Sequence, residues 1–399
     1  MATGTEVAVT KLMWALGYNV PENHIAYLRR EQLAVSSEAS FTPAGGRKRR
    51  MRPADLDALL SRADREGDGS YRVVASKALP GTPVGRIRFF GVRPDDPNDI
   101  VPHEDRRELR AYGVFAAWLN HVDAKAINSL DTLVTENGRS FVRHHLIDFG
   151  SALGSGGVGP ADYSAGSEYL VEPRLTAARM GAFGFRPASW QTAAFYESPA
   201  IGRLAKDQST FDPDRWKPRV PNQAFLHARA DDQFWAARRL AAMTADLLRA
   251  AVHSGEFGDP EAEAFLVRAL AQRRDAIVGK YLTAVNPIAD PVLRGDGTLT
   301  FINLAVDADV THAPQRYVAS WSHFDNATRS ATPIGETTSG TTTVHAPARL
   351  PTRDGAFIRV ALHATDAAHP AWSQPVHAYF RLRGGEWRLV GFERMPDAA

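Results

Sequence analysis

Of 399 residues, 44% are apolar, 23% are charged and 9% are aromatic, a balance that supports buried cores and excludes long disorder. Lys and Arg number 47 against 45 Asp and Glu, so the net charge of +2 supplies no electrostatic attraction for a nucleic acid or a membrane surface, and no nucleic-acid partner is expected. The absence of Cys removes disulfides, thiolate nucleophiles and Cys-ligated zinc, and no apolar run approaches the ~20 residues of a membrane span, so the chain is not expected to be membrane-embedded.

At the start, Val9, Leu12, Met13 and Leu16 recur at helical spacing, with Thr3 and Glu6 placed as a capping box and Gly17 as a stop, which predicts a short amphipathic helix. After Pro21, residues 24–28 read as a strand. The basic run Arg47 to Arg50 reads as a solvated loop, because no aromatic residues interleave it as in a nucleic-acid groove. A second helix is expected over 53–65 and a buried strand over 71–78, ended by Pro80-Gly81. Leu109, Tyr112, Ala116 and Leu119 mark a helix over 104–119, and 141–147 reads as a strand. Residues 154–187, rich in Gly, and 187–222, punctuated by Pro and Trp, read as loops. Two long helices follow, over 232–253 and, with Asp259 as N-cap and Pro260 at the first helical position, up to about residue 281. From Pro287 the texture changes to alternating apolar runs at 298–306, 317–321, 357–363, 376–382 and 387–392, which predict an all-β sandwich of about a hundred residues.

The run Asn120-His121-Val122-Asp123-Ala124-Lys125-Ala126-Ile127-Asn128 is followed, after the strand over 141–147, by Asp148-Phe149-Gly150. Ordinary residue frequencies yield about one Asp-x-x-x-x-Asn but only about a tenth of an Asp-Phe-Gly in a chain of this length. Their joint order, with a helix before and a strand between, resembles the catalytic and metal loops of the protein-kinase-like superfamily. The pattern H-R-D-x-x-x-x-N then D-F-G is met at His121, Asp123, Asn128, Asp148, Phe149 and Gly150; Val122 replaces the Arg, as in the atypical bacterial HipA-like and lipid-kinase-like branch. Asp131, three past Asn128, is a further carboxylate that the pattern does not require.

The resemblance is specific over 118–150 and loose over 1–286. It implies an α+β chain: a reduced kinase-like N-lobe and hinge over 1–115, a helical C-lobe over 116–286, then the β-sandwich over 287–399. It implies Mg²⁺ and ATP as cofactors, with Asn128 and Asp148 as metal ligands, Asp123 as the catalytic carboxylate and Lys125 neutralising the γ-phosphate. Phosphoryl transfer fits so few groups because it needs positioning and charge stabilisation more than covalent help. Glu6 falls where the superfamily's C-helix Glu meets a strand Lys, although a capping-box Glu explains it equally. Lys77 falls at the hinge strand, as a hinge-edge or phosphate-facing cation or as a plain solvated Lys. Residues 154–159 correspond to the activation segment, where flexibility is expected.

The expected activity is transfer of the ATP γ-phosphate to a protein, small-molecule or lipid hydroxyl; the alternative is a pseudokinase or binding protein whose sandwich engages a protein or glycan. Five residues before the first helix leave no room for a Gly-rich loop and strand Lys, so the chain as written is expected to be catalytically incomplete. It reads as soluble and cytoplasmic, or exported if a signal precedes Met1. Other sites fare worse: His144 and His145 point to opposite faces of a strand, His103-Glu104 lacks the second His of a zincin helix, and no G-x-S-x-G elbow occurs.

Overall fold

The computed structural model describes residues 1–63, 65–181, 185 and 187–396. Among these the fold is α+β, and every sheet is antiparallel. Helix α1, Ala2–Ala15, is buried on nearly all sides, with Val7, Val9, Leu12 and Met13 in the core alongside Thr5 and Thr10. Its first turn has no side-chain cap, so Glu6 is free of the capping box expected of it. Strand β1, Asn23–Leu28, pairs with β2, Tyr71–Ser76. Between them, helix α2, Pro53–Leu60, stops short of residue 65, and Asp64 lies outside the described residues. The basic run is partly ordered: Arg49-Arg50 pairs with Ser40–Phe41, and the Arg49 guanidinium grips Asp55 through two hydrogen bonds of 2.7 Å.

Strand β3, Thr82–Gly85, joins a hairpin of β4, Ser129–Glu136, and β5, Arg139–Leu146. The hairpin turns at Asn137-Gly138, both with left-handed φ (51° and 74°), the pair that a two-residue turn of the primed type demands. Helix α3, Arg107–Trp118, precedes it, and its buried end is held from below: the Trp118 indole donates to the Leu270 carbonyl at 2.9 Å. The expected helix over 232–253 is two, α4 (Ala230–Ala241) and α5 (Ala245–His253), because Thr244 caps the second by accepting from the Leu247 N–H. Helix α6, Pro260–Thr283, starts as expected, with Asp259 accepting from two first-turn N–H groups. The region read as loops contains a helix, Pro173–Gly181; residues 182–184 and 186 lie outside the described residues.

The C-terminal part holds two sheets. One orders β6 (Ile288–Leu293), β7 (Thr298–Asn303) and β10 (Thr343–His345); the other runs β9 (Ser330–Ser339), β8 (Arg316–Asp325), β11 (Phe357–Thr365), β12 (Val376–Arg383), β13 (Glu386–Glu393). Alternate residues of β11 and β12, Ile358, Val360, Leu362 and Val376, Ala378, Phe380, face inward, and Phe301 meets Tyr317 edge-on at 5.1 Å across the two sheets. The core does not stop at residue 286. Asn286 donates to the Leu362 and Gln374 carbonyls at 2.9 Å, the Trp372 indole donates to the Thr283 carbonyl at 3.1 Å, and the Arg394 guanidinium lies 3.8 Å over the Phe234 ring. One contiguous apolar cluster therefore links α4 and α6 to both sheets.

That continuity has a thermodynamic consequence. Urea unfolding of the full chain should show one transition by both tryptophan fluorescence and far-UV circular dichroism, and two separated transitions would mean independent units. Asn286→Ala, which leaves buried carbonyls without donors, should cost about 1–3 kcal/mol in that measurement.

Candidate active site

The eight-residue strands of the hairpin pair Ser129 with Leu146, so the residues just outside the pair emerge side by side. The Ile147 N–H donates to the Asn128 carbonyl at 3.1 Å, which sets Asn128 beside Asp148 although 19 residues separate them. The local sequence enforces this, since β4 and β5 are equal in length and closed by a two-residue turn.

Ahead of β4, the chain leaves α3 through Asn120, which is in the left-handed region (φ 48°), a conformation Asn tolerates. Its side-chain oxygen accepts from the Trp216 indole at 2.9 Å. The loop then closes on itself: the Asn128 amide donates to the Asp123 carboxylate at 3.1 Å and to its carbonyl at 2.9 Å, and the Lys125 ammonium pairs with Asp123 Oδ1. Arg273 fastens the loop's origin from α6. It is buried, donates to the Ala117 and Trp118 carbonyls and to Gln208, and has no carboxylate partner among the described residues, so burial pulls its pKa down to about 9.

Asp148 itself has φ 62° and is exposed, while Phe149 is fully buried. The Phe149 ring packs 5.4 Å from the His121 ring, whose two nitrogens are buried without hydrogen-bond partners. Burial lowers the His121 pKa to about 4, against the opposing pull of Asp123, so the ring is neutral near pH 7. The Phe149 N–H donates to Glu6 Oε2, and Glu6 Oε1 accepts from the Asn23 amide at 2.8 Å and the Thr10 hydroxyl at 3.4 Å. Burial above all, with the negative charge of Asp148, pushes the Glu6 pKa up to about 7, although the bond from Phe149 works the other way.

Within the stretch 154–159 expected to be flexible, residues 154–156 are buried while Gly157 and Val158 are exposed. Gly154, at φ 72°, presses backbone to backbone on Gly202 and Arg203, where a Cβ on Gly154 would sit 1.9 Å from the Arg203 carbonyl oxygen. Ser155 and Gly156 are buried.

Of the six candidate residues, Asp123, Lys125 and Asn128 contact one another directly, and Glu6 and the turn carrying Asp148 are joined to them through the Phe149 and Ile147 N–H groups. Lys77 lies apart. Its ammonium pairs with Glu22 at 3.3 Å on the edge of the β1–β2 ladder and its side chain is 76% exposed. The sequence reading missed Asn23, which joins Glu6 to Ser76; no local pattern marks a residue whose role is a bond across 17 positions. His144 and His145 do diverge, to Asp131 and to the Leu130 carbonyl respectively.

The donor set suits a hard cation. The Asn128 amide nitrogen is used on Asp123, which leaves its oxygen; Asp148 offers an exposed carboxylate; and Asp123 Oδ1 is buried with an ion pair but no hydrogen bond. Among the described residues no three His, Asp or Glu side chains form a cage, so a cation here would draw further ligands from phosphates and water, the usual arrangement for Mg²⁺. The chain matches no family model, no curated protein and no solved structure. No helix among the described residues is long and apolar enough to cross a membrane.

The Glu6 shift predicts a pH effect. A carboxyl with its folded pKa raised from 4.5 to about 7 keeps its proton in the folded state while the unfolded chain releases one, so its contribution to stability falls across that window. Glu6→Gln should remove this loss: relative to wild type, its unfolding free energy in Mg²⁺-free buffer should rise more steeply by about 1.4 kcal/mol per pH unit between about pH 4.5 and 7. Parallel curves would show that Glu6 is ionised throughout.

Proposed function

We propose that the chain is an atypical kinase-like phosphotransferase that moves the ATP γ-phosphate to a hydroxyl acceptor. The observation that carries this reading is that Asp123, Lys125 and Asn128 contact one another while the Asn128 carbonyl and Glu6 hold the two ends of the Ile147–Phe149 turn that carries Asp148. The order of elements supports it: α1, a two-stranded ladder with α2 between its strands, β3, helix α3, a carboxylate loop, the β4–β5 hairpin, then the Asp-Phe-Gly turn. On this reading 1–115 is a reduced N-lobe with hinge, 116–286 a helical C-lobe and 287–399 a β-sandwich appendage.

Asn128 and Asp148 would hold Mg²⁺, which when bound offsets phosphate charge. Asp123, turned toward Asn128 and Lys125, orients the acceptor hydroxyl and takes its proton as the new O–Pγ bond forms and the bond from Pγ to the β-phosphate oxygen breaks, releasing ADP. Lys125 exchanges its contact with Asp123 for the γ-phosphate. His121, neutral and packed on Phe149, keeps the turn's apolar side closed to water. Glu6 holds the turn through the Phe149 N–H rather than touching nucleotide.

A second reading, a nucleotide-binding pseudokinase or a binding protein acting through its sandwich, is favoured by the position of Lys77, which leaves the phosphates without that clamp. A cavity of about 500 Å³ beside Trp387 and Arg349, remote in sequence from the carboxylates, would serve a ligand of the sandwich.

Thermal shift with ATP, with and without Mg²⁺, tests nucleotide binding directly, since a ligand of the native state raises the melting temperature. Asp148→Ala should weaken Mg–ATP binding at least tenfold by calorimetry, and unchanged binding would sink the metal assignment. Asp123→Asn should keep nucleotide affinity and lose phosphotransfer or ATP turnover by 10²-fold or more, the signature of a contact made in the transition state. Wild-type turnover in that variant would make Asp123 structural.

A further inference from the structure

Asp131, the carboxylate that the kinase-like pattern leaves without a role, is 1% exposed on β4, three residues past Asn128. A buried carboxylate must be paired, and this one is paired twice: Oδ2 accepts from Arg93 Nη1 at 2.9 Å and Oδ1 meets His144 Nδ1 at 2.7 Å. Arg93, itself 13% exposed, also donates to the Val84 carbonyl at 2.6 Å and pairs with Asp95 at 2.9 Å. His103, fully buried, has both ring nitrogens facing acceptors, the Asp99 carboxylate at 2.8 Å and the Arg88 carbonyl at 2.5 Å. These contacts rigidify the segment that follows β3.

Along that segment Ile87 and Phe89 are buried, whereas Arg86 and Arg88 are exposed and, with Val84, border one pocket. That pocket, also lined by Arg93, Asp131 and His103, measures about 250 Å³. Its two carboxylates are already engaged, Asp131 by Arg93 and His144, and Asp95 by Arg93. Neither Arg86 nor Arg88 makes a side-chain hydrogen bond or ion pair among the described residues, although Arg88 lies within electrostatic reach of Asp95. The pocket therefore presents two uncommitted guanidinium forks on a braced floor. Such forks match the paired oxygens of an oxyanion, and the pocket is smaller than a nucleotide needs.

We propose that this pocket binds a dianionic phosphate group, with Arg86 and Arg88 as its ligands, at a site separate from the carboxylate cluster. The group is either free inorganic phosphate or the phosphate monoester of a larger molecule. Ser129 Oγ accepts from the Ile87 N–H at 3.1 Å, so the segment carrying both arginines is anchored one residue beyond Asn128, and a molecule held there would lie near the catalytic loop.

The test is calorimetric titration of the full chain at low ionic strength with inorganic phosphate, glycerol 2-phosphate and acetate. Wild type should bind phosphate at least tenfold more tightly than acetate; tighter binding of glycerol 2-phosphate than of phosphate would assign the site to an ester, and the reverse to the free ion. Arg86→Ala/Arg88→Ala, at two exposed unpaired positions, should weaken phosphate binding at least tenfold, and Arg86→Lys/Arg88→Lys, which keeps charge but not the fork, should fall between. Phosphate binding unchanged by the double alanine variant, or matched by acetate, would overturn the proposal, as would displacement of phosphate by Mg–ATP. Because Asp148→Ala should leave phosphate binding intact while the double alanine variant leaves Mg–ATP binding intact, failure of this site and failure of the phosphotransfer reading are distinguishable.

Discussion

A single carboxylate, Glu6, sets the geometry on which the site rests. It sits on a helix buried nearly all round, and a carboxylate in such a place must find donors or lose its charge. It finds three: the Phe149 N–H, the Asn23 amide and the Thr10 hydroxyl. One side chain thereby ties α1 to the start of β1 and to a turn 143 residues away. With its N–H so held, Phe149 is turned inward against His121, and the loop that carries Asp123 is located by that packing. The position of Asp148, exposed and left-handed, follows from its neighbour being buried.

The carboxylate loop is built from the opposite side by polar groups that have no apolar substitute. Arg273 reaches from α6 to the last carbonyls of α3, those of Ala117 and Trp118, at the end where helix carbonyls run out of intrahelical partners. The Trp118 indole does the complementary job, donating to the Leu270 carbonyl of α6. Between these two ties the end of α3 has little freedom, and Asn120 turns the chain out of it with a left-handed residue braced by Trp216. Position in this site is therefore held by hydrogen bonds from α1, α3, α6 and the segment around Trp216, not by the loop's own conformation.

Much of the architecture was legible because it depends on local pattern. The Asp259-Pro260 start of α6, the β1 and β2 runs and the strands of 357–392 all follow from caps and alternation. The failures have physical causes. Strand β9 is an edge strand with little buried surface, so its Ser- and Thr-rich sequence carries no alternation to detect. The break between α4 and α5 lies in one capping hydroxyl, Thr244, within an otherwise helical composition. The glycines at 154–159 suggested flexibility, whereas Gly154 is there because two backbones touch.

The sequence alone determined that a strand over 141–147 separates Asn128 from Asp148, because its alternation is a local quantity; the partner strand Ser129–Glu136, which returns both residues to one end of a hairpin, came from the structure. It determined equally that Asp123 and Lys125 lie within reach of Asn128, since all three share one short loop. Only the tertiary structure decided that Glu6 meets the Asp148-Phe149-Gly150 turn and that Lys77 lies beside Glu22. Both were charged residues at plausible positions; what separates them is burial and partner, a half-buried carboxylate held by the Phe149 N–H, Asn23 and Thr10 against an exposed ammonium beside Glu22. Those are properties of the space around a residue, and that space is made by helices and strands more than a hundred positions away.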